Sequence, residues 1–379
     1  MRPSHSRRAE ETVSQEGPPK DGSDESRQQE LRREIDRLDA EVQRLINQRA
    51  AHVLEIARIK EANGGPFYRP EREAQILAKV AERNEGPFPA GDMVRILREV
   101  MSSCLALERR LRIAFLGPEA SFTHTAVQVH FGHAVEEHPV RTIAEVFREV
   151  EAGSADYGVV PVENSTEGAV NASLDQLMRS NLQVCGEVAL RVEHHLMSHA
   201  PGLEGIRRLY LHPQTQAQCR EWLQSHLGGA EWVEVTSNAE AARRASQEPE
   251  SAAVAGAAAA EHYGLPVLEA GIEDDPENTT RFVVVGEEGA GPSGNDKTSI
   301  LVSAPNRPGS LSHMLQPFSE AGVNLTKIVS RPARSSLWDY VFFLDLEGHQ
   351  EDPAVKDALS GVEAGGAAVK VLGSYPRAR

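Results

Sequence analysis

The sequence predicts a multi-domain chain: an all-α segment, then an α/β segment, then a small α+β segment of order βαββαβ. Three observations carry this. The 379 residues, 40% of them apolar, exceed what one core usually supports. From Gln29 to about Arg110 the pattern is helical with almost no strand signal, and at Leu111 it changes to short β-type runs separated by helix-length segments. "EEGAGPSGND" (Glu287 to Asp296) has linker composition, and a second, shorter set of strands and helices follows it.

Composition narrows the partners. A formal charge of −16, only 5% aromatic residues and no basic stripe argue against a nucleic-acid surface and leave a small metabolite as the better ligand. Three cysteines (Cys104, Cys185, Cys219) without CxxC spacing suggest neither a disulfide framework nor a zinc knuckle, which fits a reducing cytoplasm. No apolar run approaches the ~18 residues of a membrane span, and residues 1–28 are polar, reading as a disordered tail rather than a signal peptide.

The helical segment, residues 29–110, is interrupted at "NGGPF" (Asn63 to Phe67) and "GPFPAG" (Gly86 to Gly91), which implies three helices, the first the longest. Leu31, Ile35, Leu38, Val42, Leu45, Ile56 and Ile59 follow a four-three spacing, the seam of a helix packed on other helices. Arg49 falls inside that seam, where it either meets an anion or snorkels past the stripe edge. Lys60, eleven residues on, shares its azimuth at ~3.6 residues per turn, whereas Arg32 points elsewhere and would serve another site. The third helix repeats the anomaly, with Glu108 on the stripe of Met93, Leu97, Val100, Cys104 and Leu111. An internal Arg–Glu ion pair and a protonated, hydrogen-bond-donating carboxyl are both open to it.

"LRREIDRLDAEVQRLINQRAAHVLEIARIK", "FYRPERE" and "REVMSSCLALE" resemble the all-helical chorismate mutase module of the bifunctional chorismate mutase/prephenate dehydratases. The resemblance implies a site built between intertwined chains of at least a homodimer. Arg32 of one chain and Arg49 of the other would clamp the two carboxylates of chorismate, Lys60 and Glu108 would bond the ether oxygen, and Glu73 the ring hydroxyl. Arg72, Arg69 and Cys104 complete the pattern, Arg69 standing where relatives often carry an acid. The rearrangement to prephenate needs no cofactor or metal, so the work is positional and electrostatic.

In the α/β segment, residues 111–286, "RIAFLGPEASFTHTAV" and "VVPVENSTEGAVNASLDQL" each read as strand, turn and helix, and "HPQTQAQCREWL" opens another helix with amides free for an anion. "RVEHHLMSH" reads as a strand with hydrogen-bonded histidines rather than a metal site. In "DDPENTTRFVVVG" two threonines and an arginine precede a buried apolar run. These blocks resemble prephenate dehydratase, which implies a two-lobed α/β fold like a type II periplasmic binding protein, with the site in the cleft. The resemblance assigns Thr280 to hydrogen-bond donation at the leaving hydroxyl of prephenate. It sets Arg281 on the pyruvyl carboxylate, although Arg281 also reads as a cap paired with Asp274 or Asp275. Ser121, Glu163, Asn164, Ser165 and Thr279 would position substrate, with Glu163 resupplying the proton.

Residues 287–297 read as the linker, and residues 298–379 resemble an ACT domain, with "NRPGSLSHML" and "NLTKIVSRP" matching its two ligand motifs. The resemblance implies phenylalanine as inhibitory effector at Asn306, Gly309, Ser310, Leu311, Asn324, Leu325, Ser330 and Arg331, or else a domain used only for dimerisation. The second motif usually begins with glutamate. Here that position is Val329, so weaker inhibition is expected, tightened by Val329→Glu. Two other functions fit the same motifs: a dehydratase preferring arogenate, and a non-catalytic amino-acid sensor.

Overall fold

The computed structural model describes residues 22–63, 67–303, 307–332 and 340–378. The chain divides into two units, Met1–Ile56 and Ala57–Arg379. Three helices open it: α1 (Gly22–Asn63), α2 (Pro70–Glu82) and α3 (Ala90–Glu108). Helix α1 ends at Asn63, residues 64–66 of the first expected break lie outside the described residues, and the second break, between Glu82 and Ala90, contains Gly86 and Pro87. Helix α1 starts earlier than the sequence reading placed it, so residues 22–28 of the expected tail are helical. Asp24 and Glu25 in the first turn suit the positive end of the helix dipole. Leu31, Ile35, Leu38, Val42 and Leu45 on α1 are 48–55% exposed, an apolar stripe left without cover.

The second unit continues with a first lobe: β1 (Arg112–Leu116), α4 (Phe122–Phe131), β2 (Glu136–Val140), α5 (Ile143–Glu151), β3 (Tyr157–Asn164), β4 (Gly168–Ala169), α6 (Asn171–Arg179) and β5 (Gln183–Arg191). The second lobe follows: β6 (His195–Ser198), β7 (Arg208–Leu211), α7 (Pro213–Gln218), α8 (Arg220–Leu227), β8 (Glu231–Glu234), α9 (Asn238–Ala245), β9 (Ser251–Ala255), α10 (Ala257–Tyr263) and β10 (Val267–Glu269). The chain then returns through β11 (Thr279–Gly286), which inserts between β3 and β5, so the first sheet runs β2-β1-β3-β11-β5 and the second β10-β6-β9-β7-β8. Strand β11 is antiparallel to both its neighbours. Its residues Phe282 to Gly286 are buried, as the apolar run demands. This is the two-lobed arrangement implied above.

After the linker come β12 (Asp296–Ser303), α11 (Ser310–Glu320), β13 (Leu325–Pro332), β14 (Tyr340–Glu347), α12 (Pro353–Ala364) and β15 (Ala368–Pro376), the βαββαβ order read from the sequence. Their sheet runs β13-β14-β12-β15. One face packs under α11 and α12, and the other packs on the first lobe, where Phe343, Leu372, Tyr375, Leu301 and Val329 join Val160, Val162, Val283 and Val285 in one core. The approach is close at Gly373, φ 153°, where a Cβ would collide with the backbone of Val184.

Candidate active sites

A cleft of about 410 Å³ lies between the two lobes, lined among others by Asn164, Thr280 and Phe282 from the first and by His194, Gln214, Thr215, Gln218 and Asn238 from the second. Thr280 Oγ1 accepts a hydrogen bond from Asn164 Nδ2 at 2.9 Å, and the same amide nitrogen donates to Asn278 Oδ1 at 2.8 Å. Asn164 Oδ1 in turn accepts from the backbone of Thr166 and Glu167 and from Thr166 Oγ1. The buried Asn164 amide is therefore fixed at both ends, and Thr280 Oγ1, an acceptor in this bond, retains a hydroxyl proton that it can donate.

Across the cleft, His194 Nε2 and Gln218 Oε1 are 2.8 Å apart, so His194 donates and Gln218 accepts. Burial, partly opposed by that hydrogen bond, lowers the His194 pKa and favours the neutral ring. His194 Nδ1, Gln218 Nε2 and Asn278 Nδ2 are buried without a partner among the described residues. Such groups cost free energy until something satisfies them. Among the described residues, no lysine or arginine lines this cleft. Helices α4, α6 and α9 begin at it instead, through Phe122, Val170 and Asn238, so their amide ends supply positive potential for an anion.

Several expectations change here. Arg281 does not face the cleft. Successive residues of a strand point to opposite faces, and Arg281 turns to the far side of the sheet, where it bonds Glu187, Asp345 and Tyr375. Asp274 and Asp275 are not its partners either. Glu163 lies on that far side too, with Lys327 Nζ at 2.8 Å, so it cannot feed a proton to Thr280. Ser121 caps α4 by accepting from His124 N and lines a neighbouring cavity of about 230 Å³. Ser165 and Thr279 tie the turn together, Thr279 N donating to Ser165 Oγ at 3.0 Å, and neither lines the cleft.

In the helical segment, Lys60 Nζ donates to Phe67 O at 3.1 Å. Glu108, one turn after buried Cys104, has Oε2 buried and unpartnered among the described residues. Burial raises its pKa and nearby Lys60 lowers it, with burial winning, so the sign left open by the sequence is upward. Arg49 Nη1 is likewise buried without a partner among the described residues, whereas Arg32 and Arg72 are exposed. Glu73 accepts from Arg98 Nε at 3.4 Å beside Tyr68 and His130, in a cavity against β5 whose described lining does not include Lys60 or Glu108. Burial raises the Glu73 pKa against the pull of Arg98, and burial lowers His130 to about 3. Arg69 is exposed, and its carbonyl accepts from the first amides of α2, Arg72 N and Glu73 N.

Of the effector residues, Asn306 lies outside the described residues. Gly309 sits in the left-handed region, φ 85°, at the start of α11, followed by Ser310, whose Oγ is buried without a partner among the described residues, and by exposed Leu311. Asn324 and Ser330 are exposed and Leu325 half-buried. Arg331 is engaged elsewhere, bonding Asn171 and Asp175 of α6. Val329 packs into the core shared with the first lobe, because alternation on β13 turns Lys327, Val329 and Arg331 inward and Ile328 and Ser330 outward. A glutamate at position 329 would meet apolar side chains, so the expected gain from Val329→Glu is replaced by a loss.

Residues 31–109 match the family described as chorismate mutase type II, residues 113–290 prephenate dehydratase, and residues 298–364 the ACT domain. A bifunctional chorismate mutase/prephenate dehydratase of Stutzerimonas stutzeri is 50% identical over 354 residues, covering 92% of this chain and 97% of that protein. The chain belongs to the bifunctional chorismate mutase/prephenate dehydratase family. Its Pseudomonas aeruginosa relative is 48% identical over 362 residues, with 94% and 99% covered. The solved prephenate dehydratase of Arthrobacter aurescens in complex with L-Phe superposes with a TM-score of 0.64 at 36% identity, covering 70% of this chain and 90% of that one.

The chain is thus an enzyme with two activities, that of a chorismate mutase and that of a prephenate dehydratase. The sequence reading missed His194, Gln214, Gln218 and Asn278 as site residues. The signal lies in "RVEHHLMSH" for His194, in "HPQTQAQC" for Gln214 and Gln218 and in "NTTRF" for Asn278, motifs whose side chains the fold brings face to face.

Proposed function

We propose that the cleft around Thr280 binds prephenate and that Thr280, held by Asn164, donates its hydroxyl hydrogen bond to the leaving ring hydroxyl. The observation that carries this is the 2.9 Å bond from Asn164 Nδ2 to Thr280 Oγ1, in which the threonine oxygen accepts while its side chain lines the cleft. Prephenate dianion takes up one proton and yields phenylpyruvate, carbon dioxide and water. A threonine hydroxyl is too weak an acid to ionise, so its part is to stabilise charge on the departing oxygen. Gln218 Nε2 and the three helix ends meet the substrate carboxylates in place of Arg281. Asn164→Ala should lower dehydratase turnover by roughly 10²-fold, read from phenylpyruvate absorbance, and an unaffected rate would remove the pair from the reaction. Competing prephenate against arogenate in the same assay decides the substrate.

In the mutase, Lys60 and protonated Glu108 bond the ether oxygen, and Arg32 and Arg49 are the carboxylate clamps assigned by the family pattern. A second copy of the chain covers the bare stripe of α1. In the ACT domain, phenylalanine binds beside Gly309 and Ser310, and the buried Ser310 Oγ, without a partner among the described residues, supports this. Calorimetric titration with phenylalanine tests it. Absence of binding there would leave the domain a dimerisation module.

A further inference from the structure

The two strands that carry the dehydratase pair have a second charged face. Thr280 and Asn164 point into the cleft, and the residue next to each, Arg281 and Glu163, points the other way, beneath the ACT domain. Arg281 spends three donors there: Nε to Glu187 Oε2 at 2.7 Å, Nη1 to Asp345 Oδ2 at 2.6 Å and Nη2 to Tyr375 Oη at 2.7 Å. Glu187 also takes Lys297 Nζ and the backbone amide of Ala378. Ser299 Oγ donates to Asp345 Oδ1 at 2.5 Å and lies 2.6 Å from Tyr375 Oη, which donates to it. Glu163 takes Lys327 Nζ from β13.

The charges balance: Arg281, Lys297 and Lys327 face Glu187, Asp345 and Glu163. The Glu187 and Asp345 side chains are 3% and 9% exposed and Arg281 15%, so removing one partner strands a buried charge. The backbone at this point needs holding. The β11–β3 ladder is regular from Phe282 onward, but its register shifts between Arg281 and Phe282, one residue from Thr280. A bulge aims a side chain but loosens local pairing, and side-chain ties restore the restraint.

We infer that Arg281 is a positioning residue of the dehydratase, through which Asp345 and Tyr375 of the ACT domain hold Thr280 from behind the sheet. The ACT domain is then a structural part of the dehydratase site. This rests on the reading of Thr280 as donor. The test uses the full-length protein, with steady-state prephenate kinetics, thermal melting and chorismate mutase rate for Asp345→Asn, Ser299→Ala, Arg281→Lys and Thr280→Ala. Asp345→Asn should lower dehydratase kcat about tenfold with KM changed less than about twofold, and Ser299→Ala, which keeps every charge, about threefold in the same direction. Arg281→Lys should recover part of the rate. Mutase activity and folding should persist in all four. Asp345→Asn and Ser299→Ala that melt lower but turn over normally would overturn the inference, as would an Arg281→Lys effect confined to KM, the mark of a substrate ligand. Normal turnover by Thr280→Ala would instead sink the donor reading, so the two failures are distinguishable.

Discussion

The dehydratase cleft and the mutase helices make opposite use of one chain. In the cleft, Asn164 has its amide oxygen and nitrogen bonded and Thr280 is held from the front, and the apolar half of β11 is buried. Along α1 the apolar stripe lies bare, and Arg49 and Glu108 keep buried polar atoms without partners among the described residues. The difference teaches that the dehydratase site is completed within the fold, whereas the apolar seam of α1 is left facing water, where covering it would be favourable.

Breaking the finished site should have the largest effect. Thr280→Ala should lower dehydratase turnover by roughly 10²-fold or more, with mutase rate intact, while Thr280→Ser keeps most of the activity because the hydroxyl remains. Next, Leu38→Glu with Val42→Glu charges the bare stripe. Mutase activity should fall at least about tenfold and the sedimentation coefficient should drop, with dehydratase kcat nearly unchanged. Wild-type mutase rate from a monomeric double variant would break the comparison outright.

A milder change sharpens it. Glu108 has a raised pKa, so it keeps its proton to higher pH than an ordinary glutamate, and only the protonated form donates to the ether oxygen. Mutase rate should therefore be highest on the acidic side and decline as pH rises through that raised pKa, a change of several-fold. Glu108→Gln, always a donor, should be flat between about pH 5 and 8. A flat wild-type profile would show that Glu108 is not the donor. The smallest effect is expected from Val329→Glu, which sets a carboxylate in the seam between ACT sheet and first lobe: a melting point about 2–4 °C lower, and no tighter phenylalanine inhibition.

Much of this was legible in the residues. Glycine and proline at positions 63–67 and 86–91 placed the helix breaks, and alternation after the linker gave βαββαβ. Asn164 and Thr280 were assigned through the family resemblance of their motifs, and the fold brings the two side chains together. What failed were neighbours in sequence taken for neighbours in space. Arg281 follows Thr280 and Glu163 precedes Asn164, and strand periodicity sends each to the opposite face. That rule was available, but which face is the cleft depends on where the ACT sheet docks, and docking is written in scattered contacts such as Leu372 on the Val283 core. Gln218 and His194 come from separate elements 24 residues apart and meet only through the second lobe's fold. Gly22 to Gln28 were misread as tail because a polar helix has no apolar stripe to betray it.

Strand β11 also sets an order of events during synthesis. It is the fourth strand in a row of five, yet it is made only after the whole second lobe, so β3 and β5 leave the ribosome with the gap between them unfilled. The second lobe occupies one unbroken stretch whose ends are joined by the bond from Val192 N to Asn278 O, 2.7 Å. It can collapse on its own strands first, and its completion brings Thr279 to the mouth of the open slot. Released chains truncated just before residue 279 should therefore keep the second lobe protected from protease while the first remains cleavable.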